Sequence, residues 1–391
     1  MIIFRLAWRN LIGAGLRTWL NVIVLSFAFV AIVGAQGLLE GMNEQATNAI
    51  IDAQYGGGQY WHDAYDPYDP LALDDAHAPL PEELQNMIEA GTATPLLIVQ
   101  GSIYPAGRMR PVLLKGIDPD QTVLNIPSHF LNTADVDALP VLIGNRMARS
   151  TGLTVGDYVT IQWRDKDGTY DASDAVVVQV MTTTVPTIDN GQVWLPLERL
   201  QQMTEMGHEA TIVVRAQDTN ETPVVTGWIF RDRDYLLSDI RALVQSKTVG
   251  SAIVYVLLLF LAMIAIFDTQ VLSIFRRKKE IGMLMALGLT RLKVIQLFTI
   301  EGALHGVLAA VVGALYGIPV LGYIARIGWA LPQNADNYGF AIGEKLFPVY
   351  SVGLIVTTTV IVFVITTIVS YLPTRRIARL KPHDALRGRL A

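Results

Sequence analysis

Apolar residues in this chain gather into four runs, at 20–39, 249–275, 297–323 and 350–371. Each is close to or longer than the roughly 20 residues a helix needs to cross hydrocarbon. Between the first two runs the pattern changes to short apolar stretches, alternating or continuous, punctuated by Pro and Gly. The predicted fold is an α-helical membrane protein with four transmembrane helices and a mixed α+β extracytoplasmic domain inserted between the first and second. The expected divisions are a cytoplasmic or interfacial segment at 1–17, a first span at 18–40, the outer domain at 41–246 and a second span at 247–275. A cytoplasmic segment at 276–296, a third span at 297–324, an outer loop at 325–349, a fourth span at 350–372 and a cytoplasmic tail at 373–391 complete the chain.

Phe4, Ala7, Trp8, Leu11 and Ile12 recur at helical spacing, with Arg5 and Arg9 turned elsewhere. That pattern suits a helix lying in the membrane interface, or simply the beginning of the first span. Residues 41–53 read as an outward continuation of the first helix, ended by Gly56-Gly57-Gly58. Residues 60–81, rich in Asp, Pro, Tyr and His, read as an irregular loop. Short helices are expected at 84–91 and 197–203, and strands at 96–104, 111–117, 176–181, 192–195 and 211–215, with another following a glycine turn in 152–163. From Asp232 the pattern is helical again and runs into the second span, so that extensions of the first two helices would carry the outer domain.

The net charge of −5 hides an asymmetry: in 41–246 acidic residues outnumber basic ones by more than two to one, whereas the remainder is basic. Lys and Arg cluster before the first run (Arg5, Arg9, Arg17), between the second and third (Arg276, Arg277, Lys278, Lys279, Arg291, Lys293) and after the fourth. The positive-inside rule then makes both termini cytoplasmic. Anionic lipid accounts for these clusters, so no nucleic-acid partner is expected. The first run spans a full bilayer after a long charged segment and is read as a retained span rather than a cleaved signal. The chain has no cysteine, which excludes disulfides and thiolate metal sites.

Enzyme signatures are absent. There is no Gly-Lys-Ser/Thr phosphate loop. His208-Glu209 is followed by Ala210-Thr211-Ile212 rather than completing a zinc motif, and no nucleophile elbow occurs. His62 and His77 beside Asp63, Asp66, Asp74 and Asp75 could hold a metal ion weakly, but a solvated acidic loop is the preferred reading. The chain is therefore expected to carry no catalytic, cofactor or metal site.

The informative stretch follows the second run: Arg276-Arg277-Lys278-Lys279-Glu280-Ile281-Gly282-Met283-Leu284-Met285-Ala286-Leu287-Gly288, with Glu301-Gly302 further on. It is a short apolar helix bounded by charges, and its apolar side chains ask for a partner surface. The stretch resembles the signature Glu-Ile-Gly-x-x-x-Ala-x-Gly, followed by Glu-Gly, of the FtsX-like, MacB-type ABC transporter permeases. The tail Tyr371-Leu372-Pro373-Thr374-Arg375-Arg376, continuing through Lys381-Pro382-His383-Asp384-Ala385-Leu386-Arg387, is similar to that family's closing motif, and 144–200 is similar to its periplasmic domain. In architecture the chain is most like the lipoprotein-releasing permeases. The resemblance is weakest at 54–111.

The resemblance implies a coupling helix, Glu280, Ile281, Gly282, Met283, Leu284, Ala286, Leu287 and Gly288, set in a groove of a separate cytoplasmic ABC ATPase dimer that binds ATP and Mg. It also implies a second permease chain, identical or sister, location in a bacterial inner membrane, and a possible periplasmic carrier or adaptor. Met285 stands where the family often has Arg or Lys, which puts an ionic contact there in doubt and leaves an apolar one open. Glu301 with Gly302 is read as an intramembrane anchor for the coupling region, snorkelling at the helix end being the other reading. His305 is its expected packing neighbour. Gly302, Gly306, Gly313 and Gly317 suit close helix packing. Extraction of lipoprotein or lipid is ranked ahead of export of an amphipathic drug or peptide, and that ahead of mechanical signalling without transport.

Overall fold

The computed structural model describes residues 5–7, 9, 15–132, 138–183, 185–219, 221–242, 288–330 and 345–377, with single positions between 253 and 285. In chain order the main helices are α1 (Leu16–Ile50), α2 (Glu82–Glu89), α3 (Asn145–Thr151), α4 (Leu197–Thr204), α5 (Arg291–Ile327) and α6 (Val352–Ile377). The strands of the large sheet are β1 (Gln59–His62), β2 (Ala93–Ile103), β3 (Arg110–Ile117), β4 (Leu139–Gly144), β5 (Tyr158–Arg164), β6 (Tyr170–Met181), β7 (Gln192–Pro196), β8 (Ile212–Arg215) and β9 (Trp228–Arg231). The chain forms two compact units, one of Met1–Asn43, Val244–Ala330 and Lys345–Ala391, the other of Glu44–Leu243 and Leu331–Glu344.

Among the described residues, three helices of the first unit are long and apolar enough to cross a membrane: Trp19–Tyr55, Arg291–Ile327 and Val352–Arg375. The described positions of the run at 249–275, from Ile253 to Phe275, are helical, and the rest of that run lies outside the described residues. The helices bury a shared core of Val22, Leu25, Phe29 and Val33 from α1, Ala309 from α5 and Val362 from α6. Lipid offers no hydrophobic drive between helices, so small residues that allow close approach matter most. A Cβ on Gly306 would sit 2.6 Å from Thr366 Oγ1 of α6, and one on Gly317 would sit 2.8 Å from Val30 of α1. Several polar side chains find partners within the helices, as an apolar solvent favours, although Thr299 Oγ1 is buried without one among the described residues. Thr358 donates to Gln36 Oε1 at 2.7 Å, while Ser370 and Thr374 donate to carbonyls one turn back.

The second unit is built on one nine-stranded sheet, ordered β9-β1-β8-β2-β3-β7-β4-β6-β5. Most neighbours are antiparallel, but β3 with β7 and β4 with β6 are parallel. The far end of β2 also pairs with β5, Gly101–Ile103 against Ile161–Trp163, so six strands curl into a closed barrel. Alternation then sorts side chains. Leu97, Val99, Leu114, Ile143, Ile161 and Val177 fill one core, whereas Leu96, Ile98, Ile117, Leu142 and Trp194 form another on the opposite face.

Two expectations are corrected. Residues 60–81 are not wholly irregular, because β1 occupies Gln59–His62 inside the sheet and a 3-10 turn occupies Pro70–Asp74. β1 is only four residues long, and Tyr60 and Trp61 are buried in different cores, so it shows no alternation to read. β4 escaped notice for a related reason: it is buried at every position and interrupted by Pro140.

Candidate functional site

The described residues around Gly288 comprise a few helical positions before it, a sharp corner and the start of α5 after it. Gly282, Met283 and Met285 are helical. The corner comes at Gly288, whose N–H donates to the Met285 carbonyl at 3.1 Å and whose φ of 97° suits a residue without a side chain. Thr290, in extended conformation, caps α5 by accepting from the Lys293 N–H. Met285 and Leu289 pack on Val294 and Phe298 of the first turns of α5, which fixes the corner.

The two methionines therefore have opposite roles. Met285 packs against Val294 and Phe298, an apolar contact within the chain. Met283 is 54 % exposed, next to the buried Gly282. Glu280, Ile281, Leu284, Ala286 and Leu287 lie outside the described residues. A carboxylate at position 285 would be driven into the Val294–Phe298 contact, so Met285→Asp should lower the apparent melting midpoint in detergent by an amount matching about 2 kcal/mol. Met283→Asp should leave it within about 0.5 kcal/mol.

Glu301 is 6 % exposed and Gly302 is buried, both in the N-terminal half of α5. His305 lies one turn on and donates through Nδ1 to the Glu301 backbone carbonyl at 2.8 Å, which makes it a packing neighbour of the backbone there. Ala7, fully buried, packs with Leu297 and Leu304 on the same helix.

In the second unit no group of three or more metal-ligating side chains occurs among the described residues. His77 is bonded to Glu209 and to the Asp74 carbonyl, and His62 lies 3.5 Å from Asp63 with its ring edge-on to Trp228. The sequence reading passed over Lys115. It sits in β3 between Leu113 and Ile117, is 4 % exposed, and holds Nζ 5.0 Å from the Trp194 ring centroid. Desolvation pushes its ammonium down to about 8 from 10.5. One lysine at the centre of an otherwise apolar strand, Val112-Leu113-Leu114-Lys115-Gly116-Ile117, was the available signal.

Comparison with known proteins decides the family. A family model for the MacB-like periplasmic core domain matches residues 18–227, and one for the FtsX-like permease C-terminal region matches residues 252–382. The chain belongs to the FtsX-like, MacB-type ABC transporter permeases.

Curated relatives of the permease point the same way. It is 23 % identical to the lipoprotein-releasing system transmembrane protein LolC of Xylella fastidiosa, over 94 % of this chain and 91 % of that one. It is 22 % identical to LolC of Neisseria meningitidis, over 75 % and 77 % of the two chains. It is 23 % identical to the probable export ATP-binding/permease protein MacB of Pseudomonas entomophila, over 98 % of this chain and 58 % of that protein. The FtsX-like match contains both the Gly282–Gly288 corner and Glu301-Gly302, and the MacB-like match takes in most of the barrel and the stretch at 54–111 where the sequence resemblance is weakest.

Proposed function

We propose that this permease is the membrane subunit of an ABC transporter that works with a separate ATPase, and that its task is to lift lipoprotein or lipid from a bacterial inner membrane. The observation that carries the coupling half of this reading is the corner at Gly288. It holds an exposed Met283 on a helix braced by Met285 and Leu289 against α5. A push on such a helix is passed to α5 by packing rather than absorbed by a loose loop.

In this reading Glu280 through Gly288 sit in a groove of a cytoplasmic ATPase dimer, which binds ATP and Mg. Glu301 and Gly302 anchor the corner to the membrane helices. The chain crosses the membrane four times with both termini cytoplasmic, pairs with a second permease chain, and passes motion mechanically to the periplasmic domain and any carrier there. The ranking of cargo is supported by the two LolC relatives, each matched over three quarters or more of both chains. Export of an amphipathic drug or peptide is the second reading, supported by the MacB relative.

The experiment is reconstitution of the permease with its ATPase in proteoliposomes containing a triacylated protein, with an acceptor in the bath. ATP-dependent transfer of the acylated protein, lost with Met283→Asp, is the expected result. Transfer of an amphipathic peptide in its place would establish the second reading, and ATP hydrolysis without movement of either would leave mechanical signalling.

A further inference from the structure

A cavity of about 750 Å³ opens in the second unit beside the Trp194 face of the sheet. Its size is that of a small-molecule site, and Tyr55, Trp61, Tyr65, Tyr68, Trp194 and Tyr235 stand among the polar residues of its walls. Two cationic side chains line it. Lys115 enters from the floor, where strand register sets it beside Trp194 on β7 and Ile98 on β2. Arg231 enters from the side, its Cζ 5.5 Å from the Trp61 ring centroid and 4.3 Å from that of Tyr235.

Among the described residues Lys115 makes no hydrogen bond and no ion pair, although it is almost wholly buried, and its one polar contact is the Trp194 ring. Arg231 Nε and Trp194 Nε1 are both buried without a hydrogen-bond partner. Native interiors rarely leave several donors unpaired around one cavity, since each costs about 1–3 kcal/mol. A lysine whose ammonium is weakened by desolvation, facing a cavity, is also typical of sites that take a ligand.

The complementary chemistry is an anion with a flat apolar body. Two features limit its charge. The cavity lining also contains Asp63, Asp66 and Asp239, which would repel a multiply charged anion. These acids have donors of their own: Tyr68 donates its hydroxyl to Asp239 and its backbone N–H to Asp66, and Asp63 lies beside His62. They remain charged, but none acts on Lys115, whose ammonium is lowered by desolvation alone, so Lys115 faces the cavity without a counter-ion among the described residues.

We propose that this cavity binds a small organic monocarboxylate, with the carboxylate on Lys115 and the apolar body against Trp61, Trp194 and Tyr235, on the side where Arg231 stands. The site belongs to the outer domain and does not depend on the ATPase reading, so it can stand or fall by itself.

The test is isothermal titration of the full chain in nanodiscs with N-acetyl-L-phenylalanine and octanoate, each compared with its neutral amide and with inorganic phosphate. Saturable binding of at least one carboxylate, about tenfold or more tighter than its amide and than phosphate, is expected. Lys115→Met should abolish that preference while the protein stays folded, and Arg231→Gln should weaken it independently. Equal binding of acid and amide, tighter binding of phosphate, carboxylate binding unchanged in both variants, or no saturable binding of either acid would each overturn the proposal.

Discussion

Gly41→Val lowers the melting midpoint of the detergent-solubilised chain by roughly 10 °C or prevents its accumulation. A Cβ at Gly41 would lie 2.0 Å from the Phe347 carbonyl oxygen and 2.9 Å from both Phe347 C and Pro348 Cα. All three are backbone atoms, so no rotamer change relieves the clash. The segment cannot simply retreat either, because the Val349 N–H donates to the Gly37 carbonyl at 2.9 Å one turn earlier on α1. Overpacking against movable side chains costs about 1–3 kcal/mol, and a clash with pinned backbone belongs at or above the top of that range. For a unit the size of the first, which holds both Gly41 and Phe347, each kcal/mol moves the midpoint by roughly 2–4 °C. Gly322→Ala on α5 is the control: nothing lies within 4 Å of the added Cβ, so a small gain is expected from reduced chain entropy. Equal midpoints for Gly41→Val and the native chain would refute the packing described here.

Lys115→Met stabilises the outer domain at neutral pH, by about 1–3 kcal/mol, and flattens its response to alkali. The native ammonium is lowered from 10.5 to about 8 by desolvation. At pH values below about 8 both folded and unfolded chains are protonated, and the folded state bears the whole desolvation cost. As pH rises from about 8 towards 10.5 the folded chain releases its proton first, the unfolded chain binds more protons, and stability climbs. The shift corresponds to about 3 kcal/mol as an upper bound, since the Trp194 ring offsets part of the cost by about 1 kcal/mol. Methionine fills similar volume without charge and removes the climb. Chemical denaturation of native and variant chains at pH 7 and pH 9.5 measures both effects. A variant less stable at pH 7, or one with an unchanged difference between the two pH values, would contradict the buried-cation account.

The legible parts of the fold are those where one solvent dictates the pattern. The hydrocarbon-crossing helices announce themselves by length and apolarity, and the continuation of α1 towards Gly56 was readable because Gly56-Gly57-Gly58 punctuates an otherwise helical stretch. The longer apolar stretches bounded by turn signals, such as β2 and β3, were placed within a few residues. Strands buried on both faces, β1 and β4, carry no alternation and were missed. Closure of the barrel through Gly101–Ile103 is a long-range pairing with no local signature.

The candidate sites divide in the same way. Glu301 stood out as a carboxylate in an apolar run, whereas the turn at Gly288 and the Thr290 cap became visible only in the structure. The inward turn of Met285 could not be read, because methionine fits a contact within the chain as well as one with a partner. Lys115 and Arg231 are more than a hundred residues apart in sequence, and only the sheet brings them to one cavity.

The central claim is that the segment Glu280–Gly288 engages a separate ATPase. Affinity purification from mildly solubilised membranes tests it, comparing the native chain with the double variant Gly282→Asp, Leu287→Asp. The account predicts that an ABC ATPase co-purifies with the native chain and is lost from the variant, while the variant elutes as a folded species. Failure to recover any ATPase with the native chain, or equal recovery with both, would contradict it.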